Sequence, residues 1–177
     1  TTTIAAEATA DLIFNGNGAG GTYFWLDGRR LDNYGTTTLN ALAVGRVIAL
    51  ANGAAVNNYG TFEVDGSNAQ WLFTREGTLA TAFNNSGSFL KKGERTTEFW
   101  GITFDNNGIV DVQGGGLGFY YGGYTQTDGE TRLSGGNIAS GTPLDIRGGS
   151  VTGSGSISAV VRNAGDVSPG MPPGPSG

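Results

Sequence analysis

The sequence predicts an all-β protein, a right-handed parallel β-helix (β-solenoid) of about seven coils. Three observations point there: glycine supplies 33 of 177 residues, an Asn-x-Gly tripeptide recurs along the chain, and apolar residues alternate with period two after each copy. Glycine is thus at about 19% where roughly 7% is usual, and charged residues are at 14% where roughly 25% is usual. Glycine, threonine and asparagine are poor helix formers, which disfavours a helical bundle. An apolar fraction of 37% with aromatics at 10% supplies surface to bury, which separates the chain from disordered Gly-rich segments.

The repeat sets the elements. Five copies place an apolar residue two positions before the asparagine: Leu31, Asn33 and Gly35; Val56, Asn58 and Gly60; Phe83, Asn85 and Gly87; Phe104, Asn106 and Gly108; Val161, Asn163 and Gly165. Degenerate copies at 127–129 and 147–149 add Gly129 and Gly149, so the glycines step by 25, 27, 21, 21, 20 and 16 residues. One coil of a solenoid with loops of varying length fits those steps; a propeller or heptad array does not.

After each glycine the alternation is that of a strand. Phe62 and Val64, Val110 and Val112, Thr131 and Leu133 face inward, while Glu63, Asp111 and Arg132 face outward. Lys91 falls in the inward row and is expected near a solvent-open edge or at an early strand end. At the corner, glycine is expected to take positive φ and asparagine to tolerate the left-handed region. With coils stacked about 4.8 Å apart, Asn33, Asn58, Asn85 and Asn106 are expected to hydrogen-bond as an amide ladder that fixes register, with Asn163 and the glycines at equivalent corners. One coil cannot fold alone, so the end coils must be capped, continued or paired with another molecule.

Residues 38–51 carry a loosely helical spacing, but β-branched residues leading into a good copy of the repeat favour strand. The solenoid domain is expected over residues 1–167. Residues 168–177 are expected to be a Pro/Gly-rich extended tail that cannot pair in a ladder. Its glycine spacings of four and three do not make a collagen frame. The chain begins at Thr1 with no initiator methionine, which suggests a mature or excised segment.

Residues 83–117, FNNSGSFLKKGERTTEFWGITFDNNGIVDVQGGGL, closely resemble a unit of large bacterial surface proteins of the hemagglutinin and autotransporter-passenger type. Residues 153–170 are similar to the closing coil of such passengers, and the likeness covers about residues 50–170. The resemblance implies a right-handed parallel β-helix outside a bacterium, secreted or on the cell surface, serving as adhesin, matrix or envelope material.

Composition limits the function classes. The net charge is −5 with scattered basic residues, so no basic stripe meets phosphates and nucleic acid is not an expected partner. The most apolar stretch, residues 41–51, is too short for a bilayer, and membrane insertion is not expected. With neither cysteine nor histidine, disulfides, thiolate metal sites, His-based triads and the usual zinc ligand are absent. Gly16, Gly18 and Gly21 satisfy G-x-G-x-x-G, but a strand follows where a dinucleotide loop needs a helix, so no cofactor is expected. Asp27, Asp32, Asp105 and Asp128 form no recognised calcium loop, so no metal is expected. Glu63 and Asp111 could pair as in a polysaccharide-cleaving β-helix, but Leu90 is expected between them and a solvated strand face is the plainer account. Thr36, Thr37 and Thr38 do not recur in later coils, against an ice-binding face.

Aromatic runs at 23–25 and 119–124 are denser than a coil needs. Trp25, Tyr120, Tyr121 and Tyr124 are the candidates for an exposed contact with sugars or a subunit. The expected role is a non-catalytic, extracellular structural or adhesive building block, assembling end to end into fibres or a surface matrix. Its expected partners are itself or a surface glycan or host receptor. The alternative is a polysaccharide-binding or polysaccharide-cleaving β-helix.

Overall fold

The computed structural model describes residues 1–14, 22–41, 46–68 and 70–170, and among these every regular element is a β-strand. Coil by coil, the strands are β1 (Thr2–Ile4), β2 (Thr9–Phe14) and β3 (Thr22–Asp27). The second coil has β4 (Arg30–Asn33), β5 (Thr36–Ala41) and β6 (Arg46–Ala51). The third has β7 (Ala55–Asn58), β8 (Thr61–Asp65) and β9 (Trp71–Glu76). The fourth has β10 (Ala82–Asn85), β11 (Ser88–Lys92) and β12 (Thr97–Trp100). The fifth has β13 (Thr103–Asn106), β14 (Ile109–Val112) and β15 (Gly116–Tyr120). Then come β16 (Gly123–Gln126) with β17 (Glu130–Ser140), β18 (Leu144–Ile146) with β19 (Ser150–Ser158), and β20 (Val161–Asn163) with β21 (Asp166–Pro169).

Three faces result. The first strand of each coil builds an eight-stranded sheet from β1 to β20. The second and third strands build two further faces, joined in one thirteen-stranded sheet because β17 runs across the corner, with a register shift between Ser134 and Asn137. The stack is a β-solenoid of about six turns, close to the coil count and in keeping with the handedness expected from the sequence. Residues 38–41 and 46–51 lie in strands, as preferred over helix.

The corner glycines hold a different office from the one their residue type suggested. Thr36, Thr61, Ser88, Ile109, Glu130, Ser150 and Asp166 pair in successive register, so the glycine before each lies over its counterpart. Of these glycines only Gly129 and Gly149 have positive φ. The shared constraint is backbone approach: a Cβ on Gly60, Gly87 or Gly108 would stand 2.1–2.2 Å from the carbonyl oxygen of the preceding corner glycine. That carbonyl accepts the next coil's N–H, as in Ser88 N to Gly60 O at 2.8 Å, and no side chain fits beside it.

The interior is columnar. Phe83 stacks on Phe104 at 4.9 Å, Phe62 on Phe89 at 6.1 Å and Phe73 on Phe99 at 4.5 Å, and rings of different faces meet edge to face. Such pairs add about 0.5–1.5 kcal/mol each beyond area burial.

Two expectations need correction. Lys91 neither ends its strand nor reaches an open edge: β11 continues to Lys92 and Lys91 is fully buried between Val64 and Val112. Pairing also continues past residue 167, since Ser168 pairs with Thr152 and Gly170 bridges Gly153. Ser168 is held because β19 offers a free parallel edge. Residues 171–177 lie outside the described residues.

The corner constraint gives the first prediction. Gly87→Ala should cost about 3 kcal/mol through overpacking against backbone. Gly77→Ala, where nothing lies within 4 Å and only φ opposes a side chain, should cost about 1 kcal/mol. Urea unfolding midpoints at unchanged m-value check both.

Candidate functional site

Four places carry polar or exposed groups beyond what a packed coil needs: the amide corner, the Lys91 corner, the last coil and the outer side of the third face.

At the amide corner, Asn33 Nδ2 donates to Asn58 Oδ1 at 2.7 Å, Asn58 Nδ2 to Asn85 Oδ1 at 2.7 Å, and Asn85 Nδ2 to Asn106 Oδ1 at 2.8 Å. The row then passes to Gln126, whose Oε1 accepts from Asn106 at 3.3 Å and whose Nε2 donates to the Gly148 and Ser150 carbonyls. Gln126 had no place in the tripeptide pattern; register alone finds it. Asn33, Asn58 and Asn85 also bond backbone one coil on, as Asn58 does to the Ser88 carbonyl at 3.0 Å, while Asn106 bonds the Gly108 carbonyl of its own coil. Asn163 is not part of this row: Ile146 stands between it and Gln126, and Asn163 is exposed and bonded to its own Gly165. At the other end Asn33 Oδ1 is buried and meets no donor, because Ile4 lies over it. A second row runs outside, Asn84 to Asn57 to Asp32, at 2.7 Å per step.

Lys91 is held at the next corner. Its ammonium donates to the carbonyls of Lys92 (2.7 Å), Gly93 (2.9 Å) and Gly114 (3.1 Å). Burial pushes its pKa down to about 8, opposed by the charges of Asp65 and Glu94. The group clamps two coils by bonding carbonyls on both, one of which, that of Lys92, also accepts the Gly66 N–H at 2.8 Å.

Among the described residues, none covers the core side of the last coil. Val161 follows Leu144 in the first face and Val167 follows Val151 in the second. Their predecessors are buried, whereas Val161 is 37% exposed and Val167 48%. Behind them lies an apolar cavity of about 200 Å³ lined by Tyr124, Ile138, Leu144, Ile146 and Ile157 among others. Tyr124 is therefore not an exposed contact, which corrects the expectation. Its ring stacks with Phe104 at 5.5 Å, its hydroxyl bonds Thr131, and burial pushes its pKa up. It occupies the column of Val56, Phe83 and Phe104, so alternation points it inward.

The other aromatics do lie outside. Register places Trp25, Ala49, Thr74, Trp100 and Tyr120 in one outward column of the third face. Trp100 meets Tyr120 at 5.3 Å and Tyr121 at 5.4 Å, and its indole N–H donates to Glu98 Oε2 at 2.9 Å. Gly118 makes room, since a Cβ there would stand 2.8 Å from the Tyr120 ring. Tyr121 is 75% exposed and sits at φ 59°, a backbone region that costs a bulky residue about 1–2 kcal/mol. Tyr23 and Trp25, both exposed, pair at 6.1 Å in the first coil.

Carboxylates do not converge. Leu90 pairs with both Glu63 and Asp111, and so stands between them. Glu63 accepts from Lys92 at 2.7 Å, while Asp111 accepts from Gln113 and Ser134. Among the described residues no group of three or more acidic side chains gathers as a metal cage. No helix there is long and apolar enough to cross a membrane. The glycine motif at 16–21 lies outside the described residues, and Thr22–Asp27 after it is a strand.

Comparison of the chain with protein-family models, curated proteins and solved structures finds no match in any of the three.

Two predictions follow from these corners. Asn85→Ala strands a donor and an acceptor inside the row and should cost about 3 kcal/mol, while Asn163→Ala should cost under about 0.5 kcal/mol; thermal or urea unfolding checks both. For Lys91, the folded value lies below the ordinary 10.5, so the unfolded chain binds more protons between those two values. Stability therefore rises with pH from about 8 to about 10.5. Relative to Lys91→Met, the wild type should gain about 2 kcal/mol between pH 7 and pH 10, read from urea melts of both proteins at each pH.

Proposed function

We propose that this chain is an extracellular structural or adhesive β-solenoid block, secreted or held at a bacterial cell surface, which assembles end to end through its open last coil. The observation that carries the reading is the exposure of Val161 and Val167 in columns whose earlier members are buried. An uncovered coil of this kind is both an apolar patch and a pair of free parallel edges.

A second copy's first coil suits that end. In-register addition would set Thr2 over Val161, Thr3 over Arg162 and Ile4 over Asn163. The Ile-on-Asn step already occurs twice, at Ile4 with Asn33 and at Ile146 with Asn163. Committed carboxylates at Glu63 and Asp111 support a non-catalytic role. The extracellular placement draws its support from the resemblance of residues 83–117 to bacterial surface repeats.

Sedimentation velocity over a concentration series and negative-stain electron microscopy test the reading. Wild type should form elongated species that lengthen with concentration, and Val161→Asp combined with Val167→Asp should give single particles of unchanged circular dichroism. A wild type that stays monomeric at every concentration, with β20 and β21 amides as protected as interior ones, would remove end-to-end assembly.

A further inference from the structure

We propose that the outer side of the third face is a platform for a neutral glycan, with Trp100 and Tyr121 as stacking surfaces and Glu98 as hydroxyl acceptor. This deepens the adhesive half of the reading above and rests on it for biological context, while its chemistry stands on the face itself.

The rings are placed for use outside the core. Trp100 is 39% exposed, with Tyr120 and Tyr121 tilted about it at 46° and 53°. Tilted rings in mutual contact leave no slot for a ligand between them, so they form a surface and not a cage. A sugar ring presents a C–H face to such a surface and hydroxyls at its rim. Glu98 is held beside the platform by the indole N–H. A carboxylate has about four acceptor sites, so that bond leaves capacity for sugar hydroxyls.

Tyr121 adds a second observation. Two glycines follow it, yet the left-handed position itself carries a tyrosine. The outlier points to a use for that ring, since a glycine would fit the backbone without strain.

Charge and relief choose the occupant. Three outward columns run along this face: Tyr23, Val47, Leu72, Glu98 and Gly118; Trp25, Ala49, Thr74, Trp100 and Tyr120; and the shorter Asp27, Ala51 and Glu76. The two columns that hold the rings carry one ionisable group besides tyrosine, Glu98, and the third carries Asp27 and Glu76, all of them acidic. The other two faces carry Asp32 and Asp105, or Glu63, Asp111 and Arg132, in their outward columns. An acidic polymer finds no cluster of positive charge on the third face, which leaves an uncharged one. The Tyr23 and Trp25 pair lies three strand spacings from Trp100, about 14 Å, with half-buried Thr74 and the fully covered Ala49 between. A linear chain of several sugars laid along the solenoid axis reaches both ring groups.

The test uses the full chain on an array of neutral and acidic glycans, followed by intrinsic tryptophan fluorescence titration with the neutral oligosaccharide that gives the strongest signal. Wild type should bind neutral glycans, Trp100→Ala should weaken binding at least tenfold and Tyr121→Gly severalfold. Tyr34→Ala, on the opposite corner, should bind as wild type. Tyr121→Gly removes strain and should melt no lower than wild type, so its loss of affinity cannot be put down to unfolding. No neutral glycan bound, binding of acidic glycans alone, or affinity unchanged in both Trp100→Ala and Tyr121→Gly would overturn the proposal. The Val161→Asp and Val167→Asp protein should bind glycan like wild type, so failure of assembly and failure of the platform are told apart.

Discussion

Everything in this molecule depends on how closely one coil can lie on the next at a single corner. There the glycine carbonyl of one coil meets the glycine of the following coil so closely that a Cβ has no room, and the same carbonyl takes the next N–H. One residue earlier but one, the asparagine amide bonds its counterpart above and below. The glycine sets the spacing and the amide sets the register. A slip of one residue would turn every Phe column outward, so the two constraints at one tripeptide decide which face of every strand becomes core.

That coincidence explains why so much of the first two faces could be read from the sequence. The tripeptide marks the boundary between them, and the alternation after it names Phe62, Phe89 and Val110 as interior. The third face carries no such mark. Its strands begin after loops of changing length, and Trp71, Thr97 and Leu117 share a column only by virtue of the coils already stacked beneath them. The corner needs glycine for a reason the residue type does not display: positive φ is a property of one residue and visible in composition, whereas approach to a carbonyl 21 to 27 positions away exists only after the coil closes.

Lys91 and Tyr124 show the same limit from the polar side. An inward lysine reads as an error when the only acceptor imagined is water. The corner beyond β11 supplies three carbonyls instead, one of them from Gly114 in the next coil, and the turn that gathers those carbonyls is what makes the ammonium useful there. Tyr124 reads as a surface aromatic because it ends a run of glycines and rings. Its hydroxyl is answered inside by Thr131 and Gln126, residues of its own coil that also face the core. In both cases the partner of a buried polar atom lies where the coil turns, and local patterning has no access to it.

The two ends of the stack are not equivalent, and the difference follows from the direction of the amide row. Each side chain donates toward the C-terminal coils and accepts from the N-terminal side, so Asn33 is left with an unmet acceptor and Gln126 spends its donors on backbone before Ile146 ends the row. The strands share this polarity, since every ladder between named strands is parallel. Two last coils brought face to face by a twofold axis would present their edges antiparallel and their corners out of register. A last coil meeting a first coil keeps strand direction, corner spacing and column order together. Contacts of that head-to-tail kind do not close upon themselves unless the rotation brings them round. The polarity of the amide row and the parallel strands therefore favours the head-to-tail arrangement on which the proposed assembly rests.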